Sequence, residues 1–191
     1  MDKKDVITFF DNCASWWDDD MIRNEPVIRT ILDNGGIVEG IDVLDVACGT
    51  GVLFPDYQRR KVASVTGIDI SPEMVKVAQS KFPSIQVICG DVETTAFNKK
   101  FDAVMVYNAF PHFPNPNHLI EVLAGLVESG GRLSVAHGMS RAALIQHHER
   151  ASAVSIDLLE ENELAKLFAP WFDVDVIISN DQMYQVSGIR R

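Results

Sequence analysis

Cysteine is scarce in this 191-residue chain: Cys13, Cys48 and Cys89 are odd in number and form no CxxC pair. Neither a disulfide framework nor a cysteine zinc site is therefore expected, and the thiols read as reduced. Positive charge is short as well. Seventeen Lys and Arg face 27 Asp and Glu for a net charge of −10, and the longest basic run is Arg59-Arg60-Lys61. That leaves no stripe to neutralise phosphates and weighs against a nucleic-acid substrate. Long apolar runs are missing too. Each is strand-sized, well under the roughly 20 residues of a membrane span, and the opening Met-Asp-Lys-Lys-Asp carries no signal-peptide core. The expectation is a cytoplasmic protein without a membrane span. Repeats, low-complexity tracts and linkers are absent, so one domain is expected.

What is present is 47% apolar residues patterned for a packed core. Residues 5–34 carry apolar positions at helical spacing (Val6, Phe9, Phe10, Cys13, Trp16, Trp17), and a second helix begins near Pro26 and stops at Gly35-Gly36. These form an expected helical cap over residues 1–39. From residue 42 the pattern changes to short apolar runs, each with a helix expected after it: Val43 to Ala47, Val62 to Ile68, Ile85 to Cys89, Val104 to Tyr107 and Leu133 to Ala136. Such alternation indicates βαβ units and a parallel sheet buried on both faces. Ser71-Pro72 and Asn115-Pro116 each place Pro just after an N-cap, Asp157 with Glu160 reads as a capping box, and Ser129-Gly130-Gly131 reads as the end of the helix after the fourth strand. Val174 to Ile178 and Met183 to Ile189 are separated by four residues, a link that permits only an antiparallel hairpin.

Ligands of open parallel sheets bind beyond the carboxyl ends of the strands, where glycines let backbone approach them. Gly49 and Gly51 occupy that place after the first strand. A dinucleotide site would show GxGxxG, but the third position here is Phe54. Asp45, just before the glycines, would repel a pyrophosphate and suits a ligand with an ammonium and a sulfonium. Asp69, at the end of the second strand, is placed to accept both hydroxyls of a ribose. Asp91 could accept from an adenine amino group while Val92 supplies backbone and an apolar contact. A glycine pair or a post-strand Asp is weak evidence singly. In order and in register they address three parts of one cofactor.

These residues resemble the class I S-adenosylmethionine-dependent methyltransferases, especially the small-molecule subset that includes the quinone-biosynthesis C-methyltransferases. Val43-Leu44-Asp45-Val46-Ala47-Cys48-Gly49-Thr50-Gly51 is similar to the first motif of that family, Gly67-Ile68-Asp69-Ile70-Ser71 to the second, and Gly90-Asp91-Val92 to the adenine motif. Phe101 to Asn108 is similar to its fourth strand and Gly130-Gly131-Arg132-Leu133 to the start of its fifth; the likeness covers residues 40–138. Ala47 and Cys48 stand where the commoner GxGxG form has its first Gly. The resemblance implies that Asp45, Gly49 and Gly51 hold the methionine end, with Asn108 beside it, Asp69 the ribose and Asp91 the adenine. Ala47, Cys48, Ile70 and Val92 complete the cofactor-binding set. It also implies a three-layer Rossmann-like α/β sandwich, with a seven-stranded, mostly parallel sheet whose last strand is reversed.

Methyl transfer needs alignment and exclusion of water more than a dedicated base. His112, shortly after the fourth strand, and His137, at the end of the fifth, are the candidates to orient or deprotonate a small-molecule acceptor. Residues 139–191 are read as an acceptor-side segment followed by the hairpin. A metal site at His147 and His148 is not expected, because adjacent residues on a helix point apart and no HExxH spacing occurs. Phe9, Phe10 and Trp17 are expected mostly in the core, Trp16 as a lid, and Phe110 and Phe113 along an apolar acceptor pocket. The competing functions are a non-catalytic S-adenosylmethionine-binding module and an NAD-dependent oxidoreductase, the latter disfavoured by Asp45 and Phe54.

Overall fold

The computed structural model describes residues 2–19, 21–148 and 154–191, with backbone alone for 145–148. Two helices come first, α1 (Lys3–Cys13) and α2 (Glu25–Asn34). Then β1 (Asp42–Val46), α3 (Phe54–Arg59), β2 (Ser64–Asp69), α4 (Pro72–Lys81) and β3 (Gln86–Cys89) alternate. Next come β4 (Phe101–Tyr107), a short 3₁₀ turn (Phe110–His112), α5 (Pro116–Leu126) and β5 (Val127–His137). Helices α6 (Arg141–His148) and α7 (Glu161–Phe168) precede the hairpin of β6 (Phe172–Ser179) and β7 (Tyr184–Arg190).

The seven strands lie in the order β3-β2-β1-β4-β5-β7-β6. Every pairing from β3 through β5 is parallel, and β7 runs antiparallel to both β5 and β6. The expected Rossmann-like sheet with one reversed strand is therefore present. A two-residue period divides its central strands between two cores. Leu44, Val46, Val104, Val106 and Val135 pack with Leu119, Leu123 and Phe168 of α5 and α7. Val43, Ala103, Met105 and Ala136 face Ile28 and Ile31 of α2 and Phe54 and Tyr57 of α3. Strand order reverses between β1 and β4, so the crevice of a doubly wound sheet opens beyond Val46 and Tyr107.

Local chemistry sets the helix starts. The Ser71 hydroxyl accepts from the Met74 amide and the Asn115 side chain from the His118 amide, each followed by Pro in the first turn. Three expectations are corrected. No helix joins β3 to β4 among the described residues; the Thr94 and Thr95 amides donate to the Asp91 carbonyl, as does the Thr95 hydroxyl, a local turn that competes with helix. Helix α5 ends at Leu126 and not at Ser129-Gly130-Gly131: Val127 already pairs with Phe101, and the register then moves to Ala103 opposite Arg132. Gly130 (φ +81°) takes up that irregularity, and a Cβ at Gly131 would lie 2.7 Å from the Asp102 carbonyl. Finally, the capping box of α7 is Glu160 with Glu163, three residues beyond the expected Asp157 pair.

Ser71 is fully buried and caps α4 while its hydroxyl donates to Asp11 at 2.6 Å. Ser71→Ala is expected to lower unfolding free energy by about 1–2 kcal/mol in urea titrations. Ser71→Thr, which keeps the hydroxyl, should lose less.

Candidate functional site

The loop after β1 turns on three left-handed residues, Ala47 (φ +52°), Gly49 (φ +54°) and Gly51 (φ +83°). Ala47 thus takes, at a cost of roughly 1 kcal/mol, the conformation that Gly would take freely. The two glycines have different physical reasons. A side chain at Gly49 would project into open space with nothing within 4 Å, whereas a Cβ at Gly51 would strike the Phe54 ring at 2.6 Å. Gly67 on β2 is small for the same neighbour, since its Cβ would lie 2.8 Å from Phe54 and 2.9 Å from the Cys48 sulfur. Phe54 therefore packs where a dinucleotide fold needs a small residue.

Asp69 ties this loop to the next strand. Its Oδ2 accepts from the Gly49 amide at 2.8 Å and its Oδ1 from the Ser71 amide at 2.9 Å. Burial raises its pKa, and the two amides pull it back. Asp45 lies deeper, 2% exposed, on the α3 side of β1. Its Oδ2 has no hydrogen-bond partner among the described residues. Burial pushes its pKa up to about 8; Tyr57 lowers it in part and the Asp69 charge raises it. At the end of β3, Asp91 accepts from Lys3 Nζ at 2.5 Å and from the Glu93 amide at 3.0 Å. Asn108, left-handed at φ +55°, joins the ends of β4 and β5: its amide donates to the Ala136 carbonyl and its Oδ1 accepts from the Gly138 amide, both at 2.9 Å.

One cavity of about 670 Å³ runs over these strand ends, within the range of small-molecule sites. Ala47, Cys48, Gly49, Asp69 and Ile70 line it on one side, and Asp91, Val92, Asn108 and His112 continue the wall. Gly51 and Asp45 stand behind it and do not line it. His137 is also outside: it is 1% exposed, with its ring 6.0 Å from that of Tyr184 across the β5–β7 pair. The His112 Nδ1 lies 2.8 Å from the Val154 carbonyl and 3.2 Å from the Ser155 hydroxyl. Because a carbonyl only accepts, that nitrogen carries a proton. The side chains of His147 and His148 lie outside the described residues, and no cluster of three or more metal-ligating side chains occurs among those described.

The N-terminal segment closes the cavity. Phe9, Phe10 and Trp17 pack on the small core of Cys13, Ala14 and Met74, as expected, and also line the cavity, with Trp16 53% exposed at its edge. Polar clasps hold the segment down: Lys3 to Asp91 and Glu93, Asp11 to the Ser71 hydroxyl and Glu73 amide, and Asp18 to the Thr50 hydroxyl and Lys81. Arg23 bonds the Val52 carbonyl and Asp56. Sequence reasoning missed these four residues. Their partners lie roughly 30 to 90 positions away, which no local periodicity reports.

Residues 43–131 match the family described as "Methyltransferase domain". The match spans just under half of the chain, and over it the chain is similar to a methyltransferase domain. It is 29% identical over 143 residues to a ubiquinone biosynthesis O-methyltransferase of Coxiella burnetii, covering 70% of this chain and 61% of that protein. Its identity to the same-named protein of Paracidovorax citrulli is 32% over 143 residues, covering 69% and 60%. The aligned region thus spans about three-fifths of these curated relatives. Among solved structures, magnesium protoporphyrin IX methyltransferase from Synechocystis PCC 6803, with bound SAM, superposes with a TM-score of 0.74 at 19% identity, over all of this chain and 98% of that one. The chain presents its glycine loop and the carboxylates of Asp69 and Asp91 to one cavity, with Asp45 beneath.

A folded-state pKa of about 8 makes Asp45 a pH-dependent element. Between its unfolded value near 4 and about 8 the folded domain binds a proton that the unfolded chain does not. Stability from this group is therefore greatest below about pH 4 and falls as pH rises towards 8. Asp45→Asn should flatten that slope in urea titrations run from pH 5 to 9, and at pH 9 should be more stable than the parent by about 1–3 kcal/mol. An unchanged slope would place the titration elsewhere.

Proposed function

We propose that this chain is a cytoplasmic enzyme of one domain that binds S-adenosylmethionine and methylates a small-molecule acceptor, with no nucleic-acid partner. The observation that carries the reading is the placement of Asp45, Asp69 and Asp91 at the ends of β1, β2 and β3 beneath and along one cavity. Negative charge beside the glycine loop suits a ligand bearing an ammonium and a sulfonium and opposes a pyrophosphate. The fit has a local sign as well: Asp45 keeps a buried oxygen without a partner, and a cation nearby would favour its ionised form. Gly49 faces open space at the same edge.

Asp69 has acceptor capacity beyond its two amide bonds, enough for ribose hydroxyls. Asp91, held by Lys3, would accept from the adenine amino group, with the apolar Val92 beside it. Ala47, Cys48, Gly49 and Ile70 would contribute the loop wall, and Gly51 would support the loop from behind. Asn108, pinned to Gly138, would lie at the methionine end. When bound, S-adenosylmethionine supplies a methyl carbon on a positive sulfur; the acceptor atom bonds that carbon, the C–S electron pair stays on sulfur, and neutral S-adenosylhomocysteine leaves. His112, which lines the cavity, would orient the acceptor and take its proton. His137, buried against β7, is left out of this chemistry.

Isothermal titration with S-adenosylhomocysteine should show saturable binding, and Asp69→Asn should weaken it about tenfold or more, equivalent to roughly 1.4 kcal/mol. His112→Gln should leave that affinity unchanged and lower turnover about 10²-fold once an acceptor is known. No heat with S-adenosylhomocysteine sinks the reading; binding without transfer to any acceptor would make the chain a binding module.

A further inference from the structure

Two carboxylates converge on one ammonium beside the end of β3. Lys3 Nζ lies 2.5 Å from Asp91 Oδ2 and 2.5 Å from Glu93 Oε2. The two acids are not equivalent. Asp91 lines the cavity, and its Oδ1 already accepts from the Glu93 amide at 3.0 Å, so Lys3 covers the oxygen that remains. Glu93 does not line the cavity. Its side chain is only 5% exposed, and its Oε1 is buried with no hydrogen-bond partner among the described residues. A carboxylate oxygen left unpaired at that depth is costly. Lys3 has the means to satisfy it, since an ammonium carries three N–H donors and two of them are used here.

Resting on the reading of Asp91 as the acceptor for a ligand's amino group, we propose that Lys3 is the placeholder for that group and that Glu93 takes Lys3 over when the ligand arrives. The amino group donates to Asp91 Oδ2, the ammonium moves wholly onto Glu93, and Glu93 Oε1 gains the donor it lacks. Lys3 is also the first residue of α1, the helix that carries Phe9 and Phe10 onto the cavity. A lone pair of Lys3 with Asp91 would set ligand and helix in competition for one oxygen. The second carboxylate removes that conflict, because Glu93 holds Lys3 both before and after Asp91 changes partner. Glu93 is thus a positioning residue: it acts through Lys3 and does not touch the ligand.

A double-mutant cycle on the full chain, read by isothermal titration with S-adenosylhomocysteine, tests the hand-over. Glu93→Gln leaves Lys3 with Asp91 as its one carboxylate and should weaken binding about tenfold. In a Lys3→Gln background the same change should cost less than about threefold, because no ammonium remains to compete. Equal losses in the two backgrounds overturn the proposal, as does an unchanged affinity for Glu93→Gln alone. A ligand-free measurement is independent of the cofactor. Asp91→Asn withdraws the Asp91 charge as a bound amino group would, so amide hydrogen exchange at residues 5–9 should stay within about twofold of the parent. Asp91→Asn combined with Glu93→Gln should speed that exchange about fivefold or more. Release by Asp91→Asn alone overturns the proposal, and so does the absence of further release in the combined variant. Unfolding midpoints in urea confirm that each variant folds. No heat from S-adenosylhomocysteine with the parent, alongside the expected exchange pattern, removes the cofactor reading and leaves Glu93 as the holder of Lys3.

Discussion

The structure of this site depends on one carboxylate. Asp69 closes two backbone amides at once, Gly49 on the loop after β1 and Ser71 at the start of α4. A single buried side chain thereby sets the distance between two neighbouring strand ends and fixes the entry into the following helix. Burying it is costly because ionised carboxylates lose strong hydration, and the two N–H donors offset that cost. The left-handed turn at Gly49 aims its amide so that this bond can form. Were the loop to take another path, Asp69 would be left buried with half of its donors missing. The glycine loop and the β2 carboxylate are thus one unit.

Around that unit the N-terminal segment acts as a second layer of restraint. Its clasps fall on the glycine loop, on the cap of α4 and on the end of β3. Each is a modest surface or half-buried contact worth little singly. Collectively they hold an aromatic face against the cavity that the small patch of Cys13, Ala14 and Met74 could not hold alone. The arrangement covers the cavity with side chains whose removal would expose the strand ends without disturbing the sheet, because the sheet's two cores draw on α2 to α7 and not on α1.

Much of this was legible in the sequence, for definable reasons. Strands buried on both faces appear as apolar runs, and Ser71-Pro72 and Asn115-Pro116 announce helices by short-range capping, so β1 to β7 and the starts of α4 and α5 could be placed from local pattern. The strand-end aspartates were legible because topology places such residues at the crevice. What failed had non-local causes. Thr94 and Thr95 bond back to Asp91 and consume a stretch assigned to helix, and Gly130 resolves a register irregularity between β4 and β5 that only the paired strand reveals. His137 ends its strand as expected, but the antiparallel neighbour β7 buries it under Tyr184's side of the sheet. Phe9 and Phe10 of α1 pack on Cys13, Ala14 and Met74 as their spacing suggests; that they also border the cavity is beyond what periodicity reports.

Asp45 shows how a site can be held ready at the expense of the fold. It shares a face of β1 with Val43, and that face packs on α3. An apolar residue there would bury more favourably, and a carboxylate with a partnerless oxygen destabilises the cofactor-free domain. The raised pKa expresses the same fact as a proton held on the buried carboxyl. A cationic ligand at the loop would shift Asp45 towards its charged form and recover part of that deficit on binding. On the proposed function, the energy withheld from folding would become affinity for a positive group, since a phosphate would meet both Asp45 and Asp69 without a compensating side-chain cation on the loop. On the same reading, preference for a sulfonium donor over a dinucleotide would be set by a residue behind the cavity wall, through the field it projects once ionised and not through a contact on the surface.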